Sequence, residues 1–177
     1  MVTGPNGSGK STLLRALCGF LPLEAGGFAL EGGDAERTVG EQAHYLGHAD
    51  GVKGALTAGE NLAFAAAMLG GEPSRDAQRQ ALAQVGLAHV IDFPARLLSA
   101  GQRRRVALAR LLVAERLLWL LDEPATALDA AAQAALAALM QAHLRRGGVI
   151  LAAAHAPLGI GGAQELKLGT PSNGAAG

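Results

Sequence analysis

One cysteine in 177 residues excludes an internal disulfide. Cys18 is expected to be a small buried side chain in a reducing compartment. Aromatic residues make up only 3% of the chain, so its core must be aliphatic. Neither sign of charge is in excess: Lys and Arg total 15, and Asp and Glu total 15. A formal net charge of zero supplies no attraction to a phosphate backbone, so nucleic acid is not an expected partner. No uninterrupted apolar run approaches the roughly 20 residues of a membrane span. No basic leader precedes an apolar run at the start, so no signal peptide is expected. A membrane role would therefore run through a partner. Hydrophobic residues are plentiful at 50%, much of it alanine, in a length suited to one domain with a proper core.

The chemistry begins at Gly4-Pro5-Asn6-Gly7-Ser8-Gly9-Lys10-Ser11. This octapeptide fills every fixed position of the phosphate-binding pattern G-x-x-x-x-G-K-[ST]. Glycines let such a loop curl until successive backbone N–H groups face one anion. Lys10 brings a point charge to β- and γ-phosphates, and the Ser11 hydroxyl can hold Mg2+. A helix is expected from Thr12 to Cys18, with Gly19 as its stop. Its positive N-terminal end would face the phosphates.

Residues 1–3 can be only the end of the strand that feeds this loop, since strands usually run to about five residues. Short strands are expected at residues 28–31 and 43–47. Thr57 and Glu60 have capping-box spacing ahead of an apolar helix over 61–69. Ser74 caps a second helix over 75–85, and Gly86 stops it. Ser99 and Gln102 repeat the capping-box spacing before a helix that runs to Ala114. Arg103, Arg104 and Arg105 are adjacent, so they spread around that helix and read as its solvated face. Arg110 and Arg116 read the same way. Residues 117–121 form a continuous apolar run, the mark of a buried strand. Asp129 caps a long alanine-rich helix, residues 149–153 form a third buried strand, and residues 165–168 an edge strand. Residues 170–177 read as a disordered tail.

Strands alternating with helices predict an α/β core with a parallel sheet. Ligands of such sheets lie beyond the carboxyl ends of the strands. The phosphate loop, Asp122-Glu123 and His155 each sit at such an end. Asp122 is placed to hold Mg2+ opposite Ser11, directly or through water. Glu123, one residue on, points differently and can orient or deprotonate an attacking water. The position of His155 suits a γ-phosphate contact.

With these motifs in this order, the chain resembles the ATP-binding cassette (ABC) ATPases, the nucleotide-binding subunits of transporters. The resemblance rests on the phosphate loop, Leu98-Ser99-Ala100-Gly101-Gln102, Asp122-Glu123, Ala127-Leu128-Asp129 and His155. The pentapeptide discriminates, because phosphate loops also occur in kinases and GTPases. The resemblance implies a P-loop NTPase fold over residues 1–169: a parallel sheet flanked by helices, a helical subdomain over residues 57–98, and an incomplete antiparallel β-lobe. It implies ATP and Mg2+ as ligands. Gly4 to Thr12 would cradle the phosphates, with Ser11 and Asp122 on the metal and Lys10, Glu123 and His155 as the catalytic set. Two copies would face head to tail, each ATP lying between one phosphate loop and Ser99, Gly101 and Gln102 of the other copy. Asp129 would touch the partner across that interface. Integral-membrane transporter subunits would hold the pair at the cytoplasmic face of the inner membrane.

Two departures qualify the match. Most cassettes carry a Mg2+-touching glutamine where this chain has Tyr45-Leu46-Gly47-His48. That pattern, Gly51-Val52-Lys53, Glu60-Asn61-Leu62 and the alanine in the pentapeptide are similar to the haem-exporter branch that serves bacterial cytochrome c maturation. Neutral imidazole is a poor Mg2+ ligand, so His48 is expected to meet water or a partner. Cassettes also begin with further residues, which supply an aromatic that stacks on adenine. Such stacking is worth roughly 1–3 kcal/mol per base, so weak ATP binding is expected. The alternatives are a truncated cassette with little turnover, a small-molecule kinase, and a non-transport cassette of DNA repair or translation. The kinase reading leaves residues 99–102 unexplained. Non-transport cassettes usually carry two cassettes or long coiled-coil insertions, and neither is present here.

Overall fold

Among the described residues, five strands form one sheet in the order β2-β3-β4-β1-β5: β1 Val2–Thr3, β2 Ala43–Leu46, β3 Leu118–Asp122, β4 Val149–Ala153 and β5 Leu166–Lys167. The computed structural model describes residues 1–169, and the tail expected at 170–177 lies outside the described residues. Every strand pair is parallel. The helices are α1 Lys10–Leu17, α2 Ala58–Leu69, α3 Arg75–Gln84, α4 Ala100–Ala109 and α5 Ala130–Arg145. This is the α/β class read from the sequence, a parallel sheet flanked by helices.

β3 shows why the sheet holds. All five of its residues are buried, and the four apolar ones alternate between two cores. Leu118 and Leu120 pack with Val2, Leu14 and Ala153 on the α1 side. Trp119 and Leu121 pack on the other side with residues of α2, α4 and α5. Leu120 and Leu121 are 0% exposed, and burying each contributes about 2 kcal/mol.

Local signals set the helix starts. Thr57 Oγ1 accepts from Glu60 N–H, and the Glu60 carboxylate accepts from Thr57 N–H. Ser74 caps α3 through Ala77 N–H, and Asp129 caps α5 through Ala132 N–H. Asn61, buried on α2, exchanges hydrogen bonds with both the N–H and the carbonyl of Lys53. That fastens the Gly-rich connection before α2 to the helix itself.

Three expectations need correction. Residues 28–31, expected as a short strand, form none. A strand is defined by its ladder, and among the described residues no strand lies alongside to make one. α4 stops at Ala109 and tightens into a 3-10 turn over Arg110–Leu112. Cys18 is half-buried at the C-cap of α1, not enclosed.

Candidate functional site

The register of the sheet levels its carboxyl ends. Val2 of β1 pairs with Ala153 of β4, and Ala153 pairs with Asp122 of β3. The three strands therefore end on one row, with β4 in the middle. Adjacent strands lie about 4.8 Å apart, so β1 and β3 are about 10 Å apart across the site. Gly4, Glu123 and His155 all emerge just past that row.

The loop leaving β1 turns sharply. Gly4 has φ 145°, and a Cβ there would run into the Leu168 carbonyl and come within 2.7 Å of Ser8 Oγ. Gly9, with φ 92°, is the N-cap of α1, a left-handed position that favours glycine. Lys10 folds back across the loop and donates to the carbonyls of Gly4 at 2.8 Å and Pro5 at 3.0 Å. Pro5, Asn6, Gly7 and Thr12 are exposed, while Ser8, Gly9, Lys10 and Ser11 are half-buried. Ser8 Oγ is buried with no hydrogen-bond partner, a polar group with spare capacity inside the loop. An open loop of glycines, an orphan hydroxyl and a cation at the start of a helix fit a phosphate chain.

Across the sheet, Asp122 is 3% exposed and Glu123 follows it with φ 50°. A non-glycine residue at positive φ is uncommon and costs on the order of 1–3 kcal/mol, so its surroundings must hold it there. Glu123 N–H donates to Ala153 O at 2.8 Å. Its carboxylate lies 3.4 Å from Nε2 of His155. The sequence predicted that these two side chains share one crevice, and the structure brings them into contact. The buried carboxylate of Asp122 and the Ser11 hydroxyl are hard oxygen donors of the kind Mg2+ prefers.

Ser99, Gly101 and Gln102 sit at the start of α4. Ser99 is exposed, and its hydroxyl accepts from Gln102 N–H while Gln102 Oε1 accepts from Ser99 N–H. Both side chains thus serve the cap. Among the described residues no hydrogen bond joins them to the phosphate loop of the same chain. Gly101 lies against the carbonyl of Ala127, which ties the start of α4 to the turn before exposed Asp129. His48 is exposed, just past the end of β2.

The arginines overturn the expectation of a solvated face. Arg104 is 4% exposed. It donates to the carbonyls of Gly47 at 2.8 Å, Asp122 at 3.1 Å and Glu123 at 2.7 Å. Burial pulls its pKa below the ordinary arginine value. Arg110 donates to Asp50 O at 3.1 Å, and Arg116 donates to Leu69 O. Arg103 lies 3.7 Å from the Asp50 carboxylate. A signal for Arg104 was present in the chain. Positions 104, 107, 108 and 111 share one helical face, and the other three are apolar.

Comparison with known proteins agrees with the fold. The ABC transporter family matches over residues 1–126. The chain is 57% identical over 168 residues to the cytochrome c biogenesis ATP-binding export protein CcmA of Nitrobacter winogradskyi, covering 95% of this chain and 82% of that one. It is 58% identical over 170 residues to the protein of the same description from Nitrobacter hamburgensis, covering 95% and 83%. A solved ATP-binding cassette, in a dimeric post-hydrolysis state with ADP and Pi, superposes with a TM-score of 0.75 at 24% identity, over 88% of this chain and 73% of that one. The family match covers most of the chain, and relatives more than half identical cover 95% of it: the chain belongs to the ABC transporter family.

Proposed function

We propose that this chain is the ATP-binding and ATP-hydrolysing subunit of an export transporter in cytochrome c biogenesis. The reading rests on the levelled strand ends, which bring the phosphate loop, the Asp122-Glu123 pair and His155 to one crevice. The relatives' printed description supports the export role. Haem export, or release of haem to a chaperone, is the transport step that the sequence pattern favours. Residues 57–98 act as a helical subdomain of the cassette.

In this scheme Gly4 to Thr12 bind the phosphates through backbone N–H groups and Lys10. Ser11 and Asp122 would hold Mg2+, which would neutralise charge on the phosphate chain. Glu123 accepts a proton from the attacking water as the bond between the γ-phosphorus and the bridging oxygen of ADP breaks. His155 orients that carboxylate and touches the γ-phosphate. Ser99, Gly101 and Gln102 close over the nucleotide of a second copy; among the described residues no hydrogen bond joins them to the phosphate loop of their own chain. Asp129 meets that copy. Integral-membrane subunits tie the pair to the cytoplasmic face of the inner membrane as a peripheral unit. Among the described residues no helix is long and apolar enough to cross a membrane.

Replacing Lys10 by alanine tests this. Hydrogen bonds to a charged group contribute about 1.5–3 kcal/mol, so ATP affinity should fall by roughly 10- to 150-fold. Equilibrium titration with a fluorescent ATP analogue reads the effect. Parental binding and cleavage in K10A would sink the reading. His48→Gln should leave the Mg2+ concentration for half-maximal turnover within about twofold, since imidazole is a poor ligand for that ion. A strong shift would place His48 at the metal.

A further inference from the structure

We infer that Arg104 is a positioning residue that holds Glu123 in its working conformation and ties it to the segment leading into His48. The inference rests on the hydrolytic role proposed above. It starts from a mismatch. A guanidinium almost withdrawn from water ordinarily pairs with a carboxylate. Here the hydrogen-bond partners of Arg104 are three main-chain carbonyls, and its Nε, also buried, has no partner. Withdrawing such a charge from water is costly, and the three bonds offset that cost while fixing where these carbonyls lie.

Two of those carbonyls flank the point of strain. Glu123 adopts φ 50°, and its backbone is gripped on both sides. Its N–H donates to Ala153 O, and its carbonyl accepts from Arg104. Removing the second grip lets the peptide after Glu123 rotate and carries the carboxylate away from its place beside His155. The third carbonyl belongs to Gly47, next to His48 at the end of β2. One side chain on α4 thus fixes the ends of two neighbouring strands. Ser99 and Gln102 cap the start of α4, so a displacement of that helix reaches Glu123 through a rigid planar fork. Lysine, a point charge on a flexible stem, cannot reproduce the fork.

Arg104→Gln and Arg104→Lys, with Mg·ATP hydrolysis measured for both, test this. A catalytic group misplaced by about 1 Å can cost 10²-fold, so R104Q should lower kcat on the order of 10²-fold with KM within about threefold. R104K should recover part of that loss. In a Glu123→Gln background, R104Q should change kcat by less than about twofold, because a residue acting through Glu123 has nothing left to position. Equal kcat for R104Q and parent overturns the inference. So does a loss carried wholly by KM, or a full additive loss in the E123Q background. Should R104Q fail to fold by circular dichroism, R104K decides: reduced kcat at unchanged KM supports positioning, and parental kcat overturns it. A parent without ATP turnover sinks the proposed function itself, and this inference with it. A parent that turns over while R104Q keeps pace sinks the inference alone.

Discussion

Glu123→Gln is expected to lower ATP turnover by about 10²- to 10⁴-fold, the usual contribution of a positioned general base. Glutamine has the shape of glutamate and keeps one carbonyl oxygen toward His155. It cannot take a proton from water. The substitution leaves the backbone grip untouched, since Ala153 O and Arg104 hold main-chain atoms of residue 123. Nucleotide affinity should therefore stay within about threefold of the parent, because the interaction lost is made only in the transition state. Phosphate release at saturating Mg·ATP, paired with equilibrium binding, separates the two effects. Equal rates for parent and E123Q would remove Glu123 from the chemistry. They would leave a cassette that binds partners without using its carboxylate.

What the sequence disclosed about this site was short in range. The phosphate loop is eight consecutive residues, and each cap is a four-residue pattern. The burial of β3 follows from an unbroken apolar run. Each signal sits within one turn or one strand, so local propensity and tertiary packing agree there. Convergence at the strand ends followed from topology. Their levelling did not, because register depends on pairing between residues 2, 122 and 153.

Arg104 escaped for a different reason. Its partners are carbonyls, which every residue carries, so no residue type elsewhere in the chain marks the contact. Three consecutive arginines looked like surface until the apolar positions 107, 108 and 111 placed the middle one inward. Residues 28–31 failed in the opposite direction. Their composition suits a strand, but among the described residues no partner strand runs alongside them.

The far end of the sheet predicts a pH effect unrelated to the nucleotide. His44 of β2 is 4% exposed, with Nε2 2.7 Å from Ala114 O. Burial pushes its pKa down from 6.5 to about 4, against the opposing hydrogen bond to Ala114, and Arg116, Arg110 and His143 add repulsion. Trp119 lies opposite it on β3, and His143 stacks on that indole with centroids 4.1 Å apart. Burial lowers the pKa of His143 too. The unfolded chain takes up a proton as pH falls through 6.5, while the folded chain refuses it until about pH 4. Protons then favour unfolding, so stability is full above pH 6.5 and drains away down to about pH 4. His44 alone accounts for about 3 kcal/mol across that window. Urea midpoints at pH 7 and pH 4.5 read the loss in the parent. His44→Gln keeps a donor for Ala114 O but does not titrate, so its midpoint should fall distinctly less. Its remaining slope belongs to His143. Parallel slopes in parent and H44Q would mean that His44 is hydrated in solution, and with it the amino end of β3, where the strand must stay dry to keep Trp119 in the core.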